Sequence, residues 1–274
     1  MKVLIMGGDA RQGYAGMELA RLGYEVAVAP LKMPLEEAKG GGDVLLLPVP
    51  CTKDGKHLNA PLEEAPLLLD VGLSGPGRIF GGAFSCDFLK GMRREGKVVT
   101  DLLSVPSFVE ENAVLTAEAA LGVGMEACKR SFRKTTIGIV GYGRIASRLA
   151  RLLLLMGAEV LVFARKEEAR LAATLDGACA YDLSEMKAEL PRVRLLYNTA
   201  PAPLLTKETT ATLRDCAVVE LASGKENISL GNTQGVTLIF AHSLPGKILP
   251  VSAGTVIART LHQILKKEGH TPKC

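Results

Sequence analysis

The sequence has no tryptophan, no CxxC pair, no block of like charge and no signal-like start. Its six cysteines, Cys51, Cys86, Cys128, Cys179, Cys216 and Cys274, lie far apart, with no histidine at ligand spacing. That argues against zinc and against a disulfide framework, so we expect no metal and reduced thiols in a cytoplasmic protein. The net charge is only +4 and the basic residues are scattered, which speaks against a nucleic-acid footprint or a polybasic membrane patch. A small anionic ligand suits this balance better. The N-terminus enters an apolar strand directly, and the most apolar stretch, LARLLLLMGAEVLVF, is interrupted by Arg151, Gly157 and Glu159. We therefore expect neither export nor a membrane anchor. What is present is an ordinary globular composition, 274 residues with 47% hydrophobic and 23% charged, enough for two modest domains.

The chain carries one design twice. Val3 to Val26, VLIMGGDARQGYAGMELARLGYEV, reads as strand, glycine turn, amphipathic helix and second strand, and Ile137 to Lys166, IGIVGYGRIASRLARLLLLMGAEVLVFARK, repeats it. Gly7 to Gly23 and Gly141 to Gly157 each span 16 residues, and Gly7 to Val26 and Gly141 to Val160 each span 19. Two βαβ units therefore start two domains. Short apolar runs at Asp43 to Pro50, Ala65 to Gly72 and Gly96 to Leu103 read as buried parallel strands of the first. Ser107 to Arg130 reads as a bridging helix, and Arg194 to Pro203, Ala217 to Ser223 and Val236 to Gly246 continue the second. VSAGTVIARTLHQILKKEG is an amphipathic closing helix whose periodicity does not say where it packs. The expected class is α/β, two Rossmann-like domains with parallel sheets facing a cleft and joined by a long helix. Residues 1–110 would form a substrate or catalytic domain, and 111–274 a cofactor domain that includes the closing helix.

Gly141-Tyr142-Gly143-Arg144-Ile145-Ala146 is G-x-G-x-x-A between a strand and a helix. The first glycine allows the tight turn, the second lets backbone approach a pyrophosphate, and Ala146 lets helix and strand pack closely. The alternative is a glycine turn that only connects two elements. The second strand ends in Phe163-Ala164-Arg165-Lys166, with no carboxylate before Glu167. A ribose 2′-hydroxyl is usually met by Asp or Glu there, and a 2′-phosphate by arginine, so NADP(H) is favoured over NAD(H). Solvated charges at a strand end are the bland alternative. Asn198, Thr199 and Ala200 follow the next strand, and Ser223 the one after, as candidates for the nicotinamide-side ribose or substrate.

In the first unit Asp9 stands where a dinucleotide site wants glycine, and its carboxylate would oppose a pyrophosphate. Asp9, Arg11 and Gln12 then sit at the C-terminal edge of a sheet, where Arg11 is a candidate clamp for a carboxylate substrate. Equally, Asp9 could cap its helix and Arg11 pair with Glu18 or water. Ser74 in the turn Ser74-Gly75-Pro76-Gly77 could offer backbone donors, and Lys247 could serve a second carboxylate; each also fits a plain loop. His242, after VTLIFA, is a candidate acid or base, although one histidine at a strand end is commonly a packing residue. No catalytic residue is assigned beyond Arg11, His242 and Lys247 as candidates.

The GGDARQ opening, GYGRIA with its FARK strand end, NTAPAP, LAS and SLPGKILPVSAG together resemble the family of the dipicolinate synthase A subunit, in the same order over nearly the whole chain. That resemblance implies an oxidoreductase subunit working with a flavoprotein-like B subunit in the mother cell of a sporulating bacterium. It further implies conversion of a dihydrodipicolinate to pyridine-2,6-dicarboxylate with hydride transfer to a nicotinamide cofactor. A self-sufficient NADP-dependent reductase of a small keto or hydroxy acid and a non-catalytic NADP-binding regulator of a flavoprotein stay open. So does a homo-oligomer.

Overall fold

A computed structural model describes residues 1–28, 42–60, 77–223, 227–232 and 234–270. The chain divides into two units, Met1–Asn112 with Pro245–Cys274, and Ala113–Leu244. Among the described residues the first unit contains Lys2–Ile5 (β1), Ala10–Arg21 (α1), Glu25–Val28 (β2), Val44–Leu46 (β3), Arg78–Gly81 (β4), Cys86–Arg94 (α2) and Val98–Asp101 (β5). All the strands are parallel, in the order β2-β1-β3-β4-β5. Pro106–Cys128 (α3) begins in this unit and continues into the other. The expected strand over 65–72 and the turn containing Ser74 lie outside the described residues.

The second unit contains Thr136–Val140 (β6), Arg144–Leu155 (α4), Glu159–Phe163 (β7), Glu167–Leu175 (α5), Cys179–Tyr181 (β8), Met186–Glu189 (α6), Leu195–Asn198 (β9), Lys207–Thr210 (α7), Cys216–Glu220 (β10) and Val236–Phe240 (β11). Its parallel sheet runs β11-β10-β9-β6-β7-β8. Numbered from β6, that is the doubly wound order 6-5-4-1-2-3, with its reversal between β6 and β9.

The repeated design folds as a repeated geometry. Asp9 and Gly143 are the N-caps of two helices of 12 residues each, and Gly7, Gly23, Gly141 and Gly157 all take positive φ. The ladders match as well, Val3 pairing with Val26 and Ile137 with Val160. The helix α4 is amphipathic for a plain reason: Ala146, Leu149, Ala150 and Leu153 recur on one face and are fully buried, while Arg148 and Arg151 lie off it.

Leu244–Ile248 (α8) leads into Pro250–Lys267 (α9), which packs on α1 inside the first unit. The expectation that the closing helix belongs with residues 111–274 is thereby corrected. Ile257, Ala258, Leu261 and Leu265 join Val3, Ile5, Ala15 and Leu19 in one core. Gly254 permits the approach: a Cβ there would stand 2.6 Å from the Arg11 carbonyl oxygen and 2.8 Å from the Ala15 nitrogen. The 3.6-residue period of α9 records that one face is buried, but not which sheet buries it. No described helix is long and apolar enough to cross a membrane.

Candidate functional site

In the second unit, the turn after β6 is built to receive an anion. Gly141 takes φ +88°, and a Cβ on it would meet Thr199 Oγ1 at 2.8 Å, so both conformation and space call for glycine. Gly143 has ordinary backbone angles; there the glycine provides room, since nothing lies within 4 Å of the position a Cβ would take. No side chain caps α4. The positive end of its dipole can therefore meet an anion. These features fit a dinucleotide pyrophosphate.

Beside the turn lies a cavity of about 410 Å3 lined by Gly141, Tyr142, Phe163, Ala164, Arg165 and Lys166, by Ala200 to Ala202, and by Leu183 and Leu204. This is the size range of small-ligand pockets, largely apolar with a cationic rim. Arg165 and Lys166 are exposed, while the neighbouring Arg170 is held by the Ala164 and Arg165 carbonyls and by Asp182, each at 2.8 Å. Tyr142 is fixed in the wall. Its hydroxyl donates to Asp176 Oδ2 at 2.5 Å, and Asp176 also takes Arg151 at 3.0 Å. Burial and that carboxylate push the Tyr142 phenol well above its usual range.

The structure brings Gly141, Tyr142, Arg165, Lys166 and Ala200 around this cavity, with Gly143, Arg144 and Ile145 at the start of α4 beside it. Thr199 spends its hydroxyl on the Val140 carbonyl at 2.8 Å. Asn198 is wholly buried, its amide donating to Glu220 at 2.9 Å and lying 3.3 Å from the Ala200 carbonyl. In this arrangement it supports the loop after β9. Ser223 is exposed after β10.

Sequence reasoning missed Glu220 and Asp176. Glu220 is 1% exposed, accepting from Asn198 through one oxygen and from the Ala222 N–H, at 2.8 Å, through the other. Burial pushes its carboxyl up, opposed by the Asn198 and Ala222 hydrogen bonds and by the charge of His242. A carboxylate ending the apolar run AVVE was the available signal. His242 is half-buried, its ring 6.0 Å from that of Phe240.

The matching turn of the first unit is closed by its own chain. The Gly8 N–H donates to the Asn59 carbonyl at 2.8 Å, and a Cβ on Gly7 would meet Leu58 at 2.7 Å. Asp9 caps α1 by accepting from the Arg11 N–H at 3.1 Å. It also takes both arms of the Arg11 guanidinium, Nε to Oδ1 at 2.8 Å and Nη2 to Oδ2 at 2.9 Å. Burial works against the Asp9 charge, but Arg11 more than offsets it and holds the carboxyl below its usual range. Arg11 therefore pairs with Asp9, while Glu18 pairs with Arg21 and Arg259.

Gly246 of α8 lies against this fork; a Cβ there would stand 2.8 Å from Arg11 Nε and 2.9 Å from Asp9 Oδ2. The adjacent Lys247 is exposed. Gln12 is 5% exposed, yet neither Oε1 nor Nε2 has a partner among the described residues. Asp9, Arg11, Gln12 and the α8 segment thus form one polar cluster. Ser74 is outside the described residues.

Comparison with known proteins gives each unit a different match. Residues 2–102 match the family model of the N-terminal domain of the dipicolinate synthase A subunit, and residues 114–225 that of the D-isomer specific 2-hydroxyacid dehydrogenase, NAD binding domain. The chain is similar to the dipicolinate synthase A subunit of Bacillus subtilis (strain 168), 24% identical over 157 residues that cover 56% of this chain and 53% of that protein. The match thus spans about half the length of that curated relative. The structure of the dipicolinate synthase A subunit from Bacillus halodurans superposes with a TM-score of 0.80 at 21% identity, covering 96% of this chain and 97% of that one. For the A chain of dipicolinate synthase from Bacillus subtilis the values are 0.81, 20%, 97% and 96%. At such identities the superpositions establish the fold, an α/β chain of two Rossmann-like domains. The resemblance to the dipicolinate synthase A subunit holds, and the second unit is a nicotinamide-dinucleotide-binding domain of the dehydrogenase type.

Proposed function

We propose that this chain, in which an N-terminal domain of the dipicolinate synthase A-subunit type precedes a dehydrogenase-type cofactor domain, is an NADP-dependent oxidoreductase subunit that forms pyridine-2,6-dicarboxylate from a dihydrodipicolinate. The observation that carries the reading is the uncapped α4 N-terminus beside open Gly143, continuous with a cavity that ends at Arg165 and Lys166. Its cation pair supports recognition of a 2′-phosphate, which a planar guanidinium meets with two parallel hydrogen bonds. Held by the Gly141–Gly143 turn, Arg165 and Lys166, a bound nicotinamide cofactor would supply the acceptor for a hydride from a ring carbon of the substrate, and aromatisation would release one proton besides, giving the dicarboxylate and the reduced cofactor.

On the substrate side we assign Asp9, Arg11, Gln12 and Lys247. The orphaned Gln12 amide supports a ligand there, because a buried amide without partners is costly unless something polar meets it. Arg11, locked by Asp9, holds the cluster in shape, and the exposed Lys247 supplies positive charge for a carboxylate. Ser223 and His242 lie after adjacent strands of the cofactor domain, His242 as candidate proton acceptor. The partner in this reading is a flavoprotein-like B subunit, in the mother cell of a sporulating bacterium.

Calorimetry of the purified chain with NADPH and NADH tests the cofactor half, since the absence of tryptophan makes intrinsic fluorescence a poor reporter. NADPH should bind roughly tenfold or more tightly than NADH, and Arg165→Ala should remove the difference. Binding of neither would sink the reading. Turnover of a dihydrodipicolinate, with the two proteins separate and then combined, tests the substrate half; turnover by this chain alone would remove the need for a partner.

A further inference from the structure

A carboxylate buried at the C-terminal edge of the cofactor sheet is held by neutral donors. Glu220 ends β10 and lies in register with Asn198 of β9 and Phe240 of β11. It is 1% exposed, and among the described residues no lysine or arginine pairs with it; its partners are two neutral N–H groups, the Asn198 amide at 2.9 Å and the Ala222 backbone at 2.8 Å. Burial is the largest influence and holds the carboxyl above its usual range, while the two hydrogen bonds and the charge of His242 beyond β11 oppose it. A charge in that position gains most when an opposite charge comes close.

The topology says what comes close. In the 6-5-4-1-2-3 order a dinucleotide crosses the sheet at the reversal, between β6 and β9. A pyrophosphate at the turn after β6, with the adenosine half toward Arg165 after β7, would leave the other half over the ends of β9 and β10. That half carries the nicotinamide, a cation when oxidised and neutral when reduced.

We propose that Glu220 is a specificity-determining residue of the cofactor domain, its buried carboxylate making this edge prefer the oxidised nicotinamide cofactor to the reduced one. The inference rests on the cofactor reading above. Asn198 and Ala222 hold the carboxylate fixed, so that its field acts on one end of the cofactor only. The preference suits an enzyme whose reaction begins with the oxidised form bound.

The test is calorimetry of the full chain with the oxidised and the reduced cofactor in turn. Glu220→Gln should weaken binding of the oxidised form roughly tenfold, the scale of one charge acting at several ångströms through partly polar surroundings, and leave the reduced form unchanged. Exchanging the pair, Asn198→Asp with Glu220→Gln, keeps a carboxylate one strand away and should restore the preference. Should Glu220→Gln not fold, Asn198→Leu with Glu220→Met removes donor and acceptor together, a change that buried pairs tolerate better, and should also lose the preference. Equal weakening of both forms, or an unchanged ratio, would overturn the inference while leaving the cofactor reading in place. Failure of the wild-type chain to bind either form would overturn both.

Discussion

Burying the Gln12 side-chain amide without partners costs about 1–3 kcal/mol, and a leucine of similar length would remove that cost. Gln12→Leu should therefore raise the stability of the first unit by about 1–3 kcal/mol, measured by denaturant titration followed by circular dichroism. In the proposed function it should at the same time abolish dicarboxylate binding. A gain in stability with binding intact would leave Gln12 a packing residue and move the substrate site elsewhere. Residue types showed the ingredients of this cluster in the sequence, since an aspartate in a glycine-turn position stands out at once. The pairing did not show. Glu18 lies two turns along α1 from Arg11, and there Arg21 on the same helix and Arg259 arriving from α9 occupy it, leaving Arg11 to Asp9. Glu220 escaped notice for a related reason: a carboxylate that finishes a strand looks solvated until the Asn198 amide of β9 and the Ala222 N–H are seen to hold it.

Elements that carry their own periodicity were readable, and those that depend on neighbours were not. The strands β1, β6 and β7 and the helices α1, α3 and α4 follow from apolar spacing and glycine turns. The strand β4, Arg78–Gly81, has only Ile79 and Phe80 to announce it between an arginine and glycines, and Cys86–Arg94, though amphipathic, is only nine residues long and carries Gly91 within it. The contact of α1 with α9 is the element-level feature that most invites measurement. Gly254→Ala pushes a methyl into backbone atoms of α1 that have little freedom to give, and should lower stability by about 1–3 kcal/mol. The same contact carries a charge clamp. Arg21 and Arg259 both bond Glu18 and hold its carboxyl down to about 2, against an ordinary value near 4.5. A depressed folded-state pKa contributes stability that is fully present above the unfolded value and is lost as pH falls through the folded one. The melting temperature of the wild-type chain should accordingly fall toward that of Glu18→Gln between about pH 4.5 and pH 2, and the two should differ by a constant amount above that window. Parallel curves through the window would remove the clamp from the account.

At the scale of the whole molecule the chain leaves its first unit within α3, completes the cofactor domain, and returns at Pro245 to finish what it began. The second unit is thus continuous in sequence and the first is not. From α9, Ile257, Leu261 and Leu265 supply large buried side chains to the first core, a contribution of about 5–9 kcal/mol at roughly 1.5–3 kcal/mol each. That is comparable with the entire stability of an ordinary domain. A chain ending at Leu244 should therefore lose the cooperative unfolding of β1 to β5 while residues 113–244 stay folded and bind cofactor. Hydrogen exchange read by mass spectrometry checks this directly: amides of β6 to β11 should keep their protection, and excess NADP should raise it further by mass action, while those of β1 to β5 exchange freely. If β1 to β5 remained protected without α9, the first unit would be self-sufficient, and the close packing at Gly254 would have to be explained by something other than stability. Were cofactor binding lost along with α9, the two units would have to be energetically coupled, because the dinucleotide turn, the cavity and Glu220 all lie in residues that the truncation leaves untouched.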